Sequence, residues 1–129
     1  MNKILVEVSI GELLDKISIL EIKKEKIIDA EKLKFINNEY NILKEQLDNN
    51  IKTDEKLNKL IKSLKEINAK LWVIEDDKRM CEKNSDFGEK FTKLSRNVHF
   101  FNDDRAKIKL EINNYTGSKI KEIKEYTNY

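Results

Sequence analysis

Apolar residues recur every seven positions from Phe87 to Tyr115, and this periodicity constrains the fold more than any other feature of the chain. Phe87, Leu94, Phe101, Ile108 and Tyr115 form one row, and Phe91, Val98, Arg105 and Ile112 form a second, four residues after the members of the first. The 4-3 alternation places both rows on one face of a helix packed against others. Arg105 is the exception in its row. A guanidinium in an apolar seam needs a carboxylate or several carbonyls, because an unpaired buried charge is too costly to survive folding. The other solution lays its aliphatic stem across the core and leaves the head in water.

The rest of the chain reads as further helices. Ser9 with Glu12 is a capping box, and Ile10 opens the apolar pattern. Helix one is expected over about 10–47, with an early seam of Ile10, Leu13, Ile17, Leu20 and Ile27 and a late seam of Leu33, Ile36, Tyr40, Leu43 and Leu47. The phase slips between Ile28 and Leu33, which implies a stutter or bend. With no glycine or proline there, one long helix is the expectation. After the turn at 48–53, helix two is expected over about 54–83 on the heptad Leu57, Leu60, Leu64, Ile67, Leu71, Ile74, Lys78 and Cys81. Asn84-Ser85 ends it, Asp86 with Glu89 caps helix three over about 87–116, and Gly117 stops that helix in a left-handed turn.

Short connections make consecutive helices antiparallel. The expected fold is therefore all-α: one domain over 1–129, an up-down-up three-helix bundle of coiled-coil character. A short extended lead-in (3–8, KILVEV) precedes it and a tail follows Gly117. Helix one would run about 57 Å at 1.5 Å per residue. That outreaches the other two, so its far end pairs with helix two alone or meets a second subunit.

Composition narrows the function classes. Charged residues make up 39% of the chain and proline is absent, but the formal charge is only +2. That balance gives no footprint for nucleic acid or a membrane surface. No run approaches eighteen apolar residues, and Glu7 and Glu12 break the short apolar start, so neither membrane insertion nor a signal peptide is expected. Cys81 is the lone cysteine and falls on a seam, which fits an inert buried thiol in the reducing cytoplasm. Only three of the 26 basic residues are arginine: Arg79, Arg96 and Arg105. Where lysine fills almost every basic position, the remaining arginines mark places that need a planar, bidentate donor.

Three polar rows border the seams. They are Ser18, Glu21, Glu25 on helix one; Asn68, Trp72, Glu75, Arg79, Glu82 on helix two; and Asn102, Arg105, Lys109, Asn113 on helix three. Antiparallel packing brings Glu75 and Arg79 towards Asn102 and Arg105, with Glu21 joining from helix one. One reading is an ion-pair layer that fixes helix register. The other is a pocket for an anionic small molecule, clamped by Arg79, Arg105 and Lys109, with Glu21 or Glu75 as acid or base. No cofactor is implied, since Gly11, Gly88 and Gly117 are isolated. No metal site is expected either: Glu75-Asp76-Asp77 is a consecutive run, not acids three or four apart on facing helices. His99 reads as an aromatic filler or surface residue, and Trp72 as packing beside its seam.

The segments VSIGELLDKISILEIKKEKI (8–27), LKEINAKLWVIEDDKRMCE (64–82), FGEKFTKLSRNVHFFNDDRAKIKLEIN (87–113) and GSKIKEIKEY (117–126) resemble a family of short bacterial and phage proteins catalogued as domain of unknown function 6165. LWVIED and NDDRAKIKLEIN are the most specific pieces. The family pattern falls on Glu21, Trp72, Glu75, Asp76, Arg79, Arg96, Asn102, Arg105, Lys109, Asn113, Gly117 and Ser118. Lys78 stands where the family has an aliphatic residue and His99 where it has tyrosine. The resemblance implies no established activity; it implies only a setting among sugar-transfer and envelope-polysaccharide proteins.

The expectation is thus an interaction or accessory module, without an evident reaction, that binds a protein partner or itself. An anion-binding protein or small enzyme is the alternative. Accessibility discriminates them. A closed, fully paired cluster around Arg105 argues for the scaffold, and an open cleft with two unpaired cations argues for a ligand.

Overall fold

The Ser9 hydroxyl accepts the Glu12 N–H at 3.0 Å and starts α1 (Ile10–Lys26) in the computed structural model, which describes residues 1–129. Three further helices follow: α2 (Ala30–Asn50), α3 (Glu55–Lys83) and α4 (Glu89–Thr116). There is no strand, and residues 1–8 and 118–129 lack regular secondary structure.

The chain is all-α, but it has four helices rather than three, because the expected helix over 10–47 is two helices. Ile27 to Asp29 leave the helical path, and the Asp29 carboxylate accepts the Glu31 N–H at 2.9 Å to begin α2. The phase slip explains the break. No single straight helix could bury both the early and the late stripe, whereas two helices each turn their own stripe inward. Lys23, Lys24 and Lys26 in the last turn of α1 suit its negative end, and Asp29 suits the positive end of α2. The chain reverses direction at this corner: Lys24 lies 3.9 Å from the Tyr40 ring, and Leu47 joins Leu14 and Ile17 in the core. Because the Asp29 cap is exposed and acts on α2 alone, Asp29→Ala should cost about 1 kcal/mol in urea unfolding, and Asp29→Asn much less.

Asp54 caps α3 through the Leu57 N–H at 2.8 Å. Helices α3 and α4 run antiparallel. Asp54 at the start of α3 meets the Tyr115 hydroxyl near the end of α4, and Lys78 near the end of α3 lies over Phe91 near the start of α4. Gly88 is the N-cap residue of α4 without any side-chain cap; Asp86 instead accepts the Gly88 N–H at 3.3 Å. Gly117 closes α4 at φ 68°, the left-handed conformation that glycine adopts without cost.

Helix α1 is the centre of the molecule, touching all three others. Leu14, Ile17, Leu47, Leu57, Leu64 and Ile112 form the main core cluster, contributed by every helix. A helix enclosed from several sides cannot keep polar residues off its buried surface, and α1 buries Asp15 and Ser18 beside Leu14 and Ile17. Those two side chains begin the polar site.

Candidate functional site

Asp15 is 1% exposed, and a carboxylate at that depth must be fully hydrogen-bonded. Arg105 of α4 meets it bidentately, Nε donating to Oδ1 at 3.0 Å and Nη2 to Oδ2 at 2.5 Å. Asn68 of α3 donates to the same Oδ1 at 2.8 Å and to the Ser18 hydroxyl at 2.8 Å. Ser18 in turn donates to the Asp15 carbonyl at 2.8 Å. One carboxylate of the central helix therefore ties together α1, α3 and α4. Burial raises the Asp15 pKa, but hydrogen bonds from Arg105 and Asn68, with the charges of Arg105 and Lys109, outweigh it. The carboxyl is held below the usual aspartate value.

Lys109, one turn after Arg105, is also buried. Burial favours its neutral form, yet its Nζ donates to Glu12 at 2.6 Å and to Glu122 of the tail at 2.8 Å, and lies 3.9 Å from Asp15. These partners raise its pKa above the usual lysine value. Arg105 is raised as well, chiefly by its hydrogen bonds to Asp15. Three carboxylates surround two cations, so the cluster is closed to a further anion.

A pH dependence follows with a fixed sign. Asp15 binds its proton more weakly in the folded state, so the unfolded chain takes up more protons on acidification. The stabilisation is fully present above the ordinary aspartate pKa of 3.8 and is lost as pH falls through the lower folded value. Thermal melts from pH 7 to 2 should show this loss, and Asp15→Asn should flatten the acid limb.

The first turn of α1 is seated on the end of α4 by the same logic. Gly11 N–H donates to Asn113 Oδ1 at 2.7 Å, and Ile10 N–H donates to the Ser118 hydroxyl at 3.1 Å. A Cβ on Gly11 would stand 2.6 Å from the Lys109 carbonyl oxygen, so glycine is what permits this approach. Asn113 Nδ2 is buried without a hydrogen-bond partner.

The residues singled out by spacing divide into separate groups. Trp72, Glu75, Arg79, Asn102 and Arg105 line one cavity of about 600 Å³ between α1, α3 and α4. Lys109 and Asn113 lie off this cavity, inside the α1–α4 contact. Glu21 does not reach Arg105; it pairs with Lys65 of α3 at 3.2 Å. Glu75 pairs along its own helix with Arg79, which is 73% exposed. Arg96 lies apart, its guanidinium 5.7 Å from the Phe100 ring. His99 packs tilted against Phe100 and edge-on against the tail residue Tyr129.

Asp15, the partner that Arg105 requires, is absent from the residues that spacing singled out, as is Glu122; the sequence marks Glu12 only as a capping-box residue, not as a partner of Lys109. A signal for Asp15 existed: it continues the row Ser18, Glu21, Glu25 by one more step of three. Glu122 carried none, since it stands in a tail that forms no helix, and helical spacing does not predict its return to Lys109.

A family model described as a family of unknown function, DUF6165, matches residues 4–129. No curated protein and no solved structure matches the chain. No helix is long and apolar enough to cross a membrane.

Proposed function

The chain belongs to the DUF6165 family, a family of unknown function, and on that premise we propose that it is a helical interaction module that self-associates. One contrast supports this reading. Lys109, Arg105 and Arg79 all have carboxylate partners within the fold, while the apolar arm before α1 is left largely uncovered. Ile4, Leu5 and Val6 are 75–90% exposed. Capture of an anion by Arg79, Arg105 and Lys109 has less support, because Lys109 lies off the cavity that the two arginines line. The buried, unpaired Cys81 thiol suits a reducing, cytoplasmic setting.

The arm is complementary to itself. Paired antiparallel about Leu5, it sets Lys3 opposite Glu7 of a second copy, Ile4 opposite Val6, and Glu7 opposite Lys3. Ile4, Val6 and Val8 then share one face of the ribbon. A two-stranded ribbon alone is marginal, so this apolar face must also be covered in the pair. The arm leaves the bundle from a fixed point, since Ser118 holds the Ile10 N–H at 3.1 Å.

Charge exchange tests it. Light scattering on the full chain should give twice 15.3 kDa at high concentration. Lys3→Glu or Glu7→Lys should weaken the dimer about tenfold, and the two together should restore it. A dimer indifferent to these changes would place the contact elsewhere. A monomer at every concentration would remove self-association itself.

A further inference from the structure

We infer that the cavity between α1, α3 and α4 binds a small, uncharged, polyhydroxylated ring compound whose apolar face lies against Trp72. This goes beyond self-association and rests on different residues. The cavity, about 600 Å³, is of a size that holds a small molecule. Its apolar side is the half-buried Trp72 with Ile19 and Ile22 of α1, and its polar side is Glu75, Asp76, Arg79, Asn102 and Arg105.

Charge selects the ligand class. Two guanidiniums and two carboxylates share the lining, so a ligand of either sign meets its like. The guanidiniums are already engaged, Arg79 with Glu75 at 3.1 Å and Arg105 with the buried Asp15. An anion there is repelled by Glu75 and Asp76, and a cation by Arg79 and Arg105. A hydroxyl is repelled by neither: it donates to a carboxylate while accepting from a guanidinium, and so adds bonds to an intact pair. Arg105 is fixed in place by its bidentate contact, and its Nη1 has only a long 3.5 Å contact to Asn102 Oδ1. That Nη1 and the Asn102 amide are donors held ready without being consumed. The indole offers the apolar platform on which the C–H face of a saturated ring packs.

Trp72 is the only tryptophan in the chain, so its emission reports on this cavity directly. Titration with methyl α-D-glucopyranoside and with myo-inositol should give, for at least one, a saturable change with a millimolar-range midpoint, as expected of a ligand with about a dozen heavy atoms. Citrate and choline should give none. Asn102→Ala should raise the midpoint at least about fivefold, the loss of one or two hydrogen bonds, while leaving the melting temperature and oligomeric mass unchanged. No saturable change with either polyol, a response to citrate or choline instead, or an identical response in Asn102→Ala would overturn the assignment. None of these results bears on the arm.

Discussion

Asp15→Ala is expected to lower the unfolding free energy by about 3–5 kcal/mol, the cost of breaking a buried ion pair by removing one partner. The substitution strips Arg105 of both strong acceptors and leaves Asn68 with one hydrogen bond fewer in a closed site. The Arg105 side chain is 29% exposed and can turn part of its charge to water, which favours the lower end of that range. Arg105→Lys should be destabilising too, since an ammonium keeps the charge but cannot reproduce the two-point contact. Replacing both members with apolar residues of similar volume should recover part of the loss, because much of the single-mutant cost is an orphaned charge. Urea unfolding of the three variants checks the order.

The second large effect is expected at a residue that makes no side-chain contact. Gly11→Ala would put a methyl group 2.6 Å from the Lys109 carbonyl oxygen and 2.9 Å from Asn113 Oδ1. The first obstacle is backbone and cannot swing away, so α1 must retreat from α4. That retreat stretches the Gly11–Asn113 and Ile10–Ser118 hydrogen bonds and pulls on the Asp15–Arg105 contact one turn further along. Overpacking and lost hydrogen bonds together outweigh the better helix propensity of alanine, for a net loss of about 1–3 kcal/mol. Gly88→Ala is the control. Its nearest neighbour would be the Asp86 carboxylate at 3.7 Å, ordinary contact, so only the weaker N-cap preference of alanine acts, for a loss below about 1 kcal/mol.

The two long helices at the C-terminal end were legible because each has one buried stripe. Seven-residue periodicity located α3 and α4, and their facing polar rows gather Glu75, Arg79, Asn102 and Arg105 at one cavity. The first half was harder to read for two physical reasons. The break at 27–29 uses neither glycine nor proline, and only Asp29 as a cap and the slip in apolar phase betray it. Helix α1 is also enclosed by three neighbours, so a search for one apolar face passes over Asp15, which is buried between Leu14 and Ile17. A guanidinium in a seam announces that it needs a carboxylate, but nothing local says which element supplies it. Here the answer lies ninety residues away, on the helix that the other three enclose.

The central claim is that Asp15 and Arg105 act as one unit in fixing α1 against α4. A double-mutant cycle tests it most directly, using Asp15→Asn, Arg105→Gln and the pair, with unfolding free energies measured in urea at neutral pH. A coupling energy of about 1–3 kcal/mol is the expected result, as for groups sharing one hydrogen-bonded site. Additivity within about 0.5 kcal/mol would show two independent residues and contradict the account.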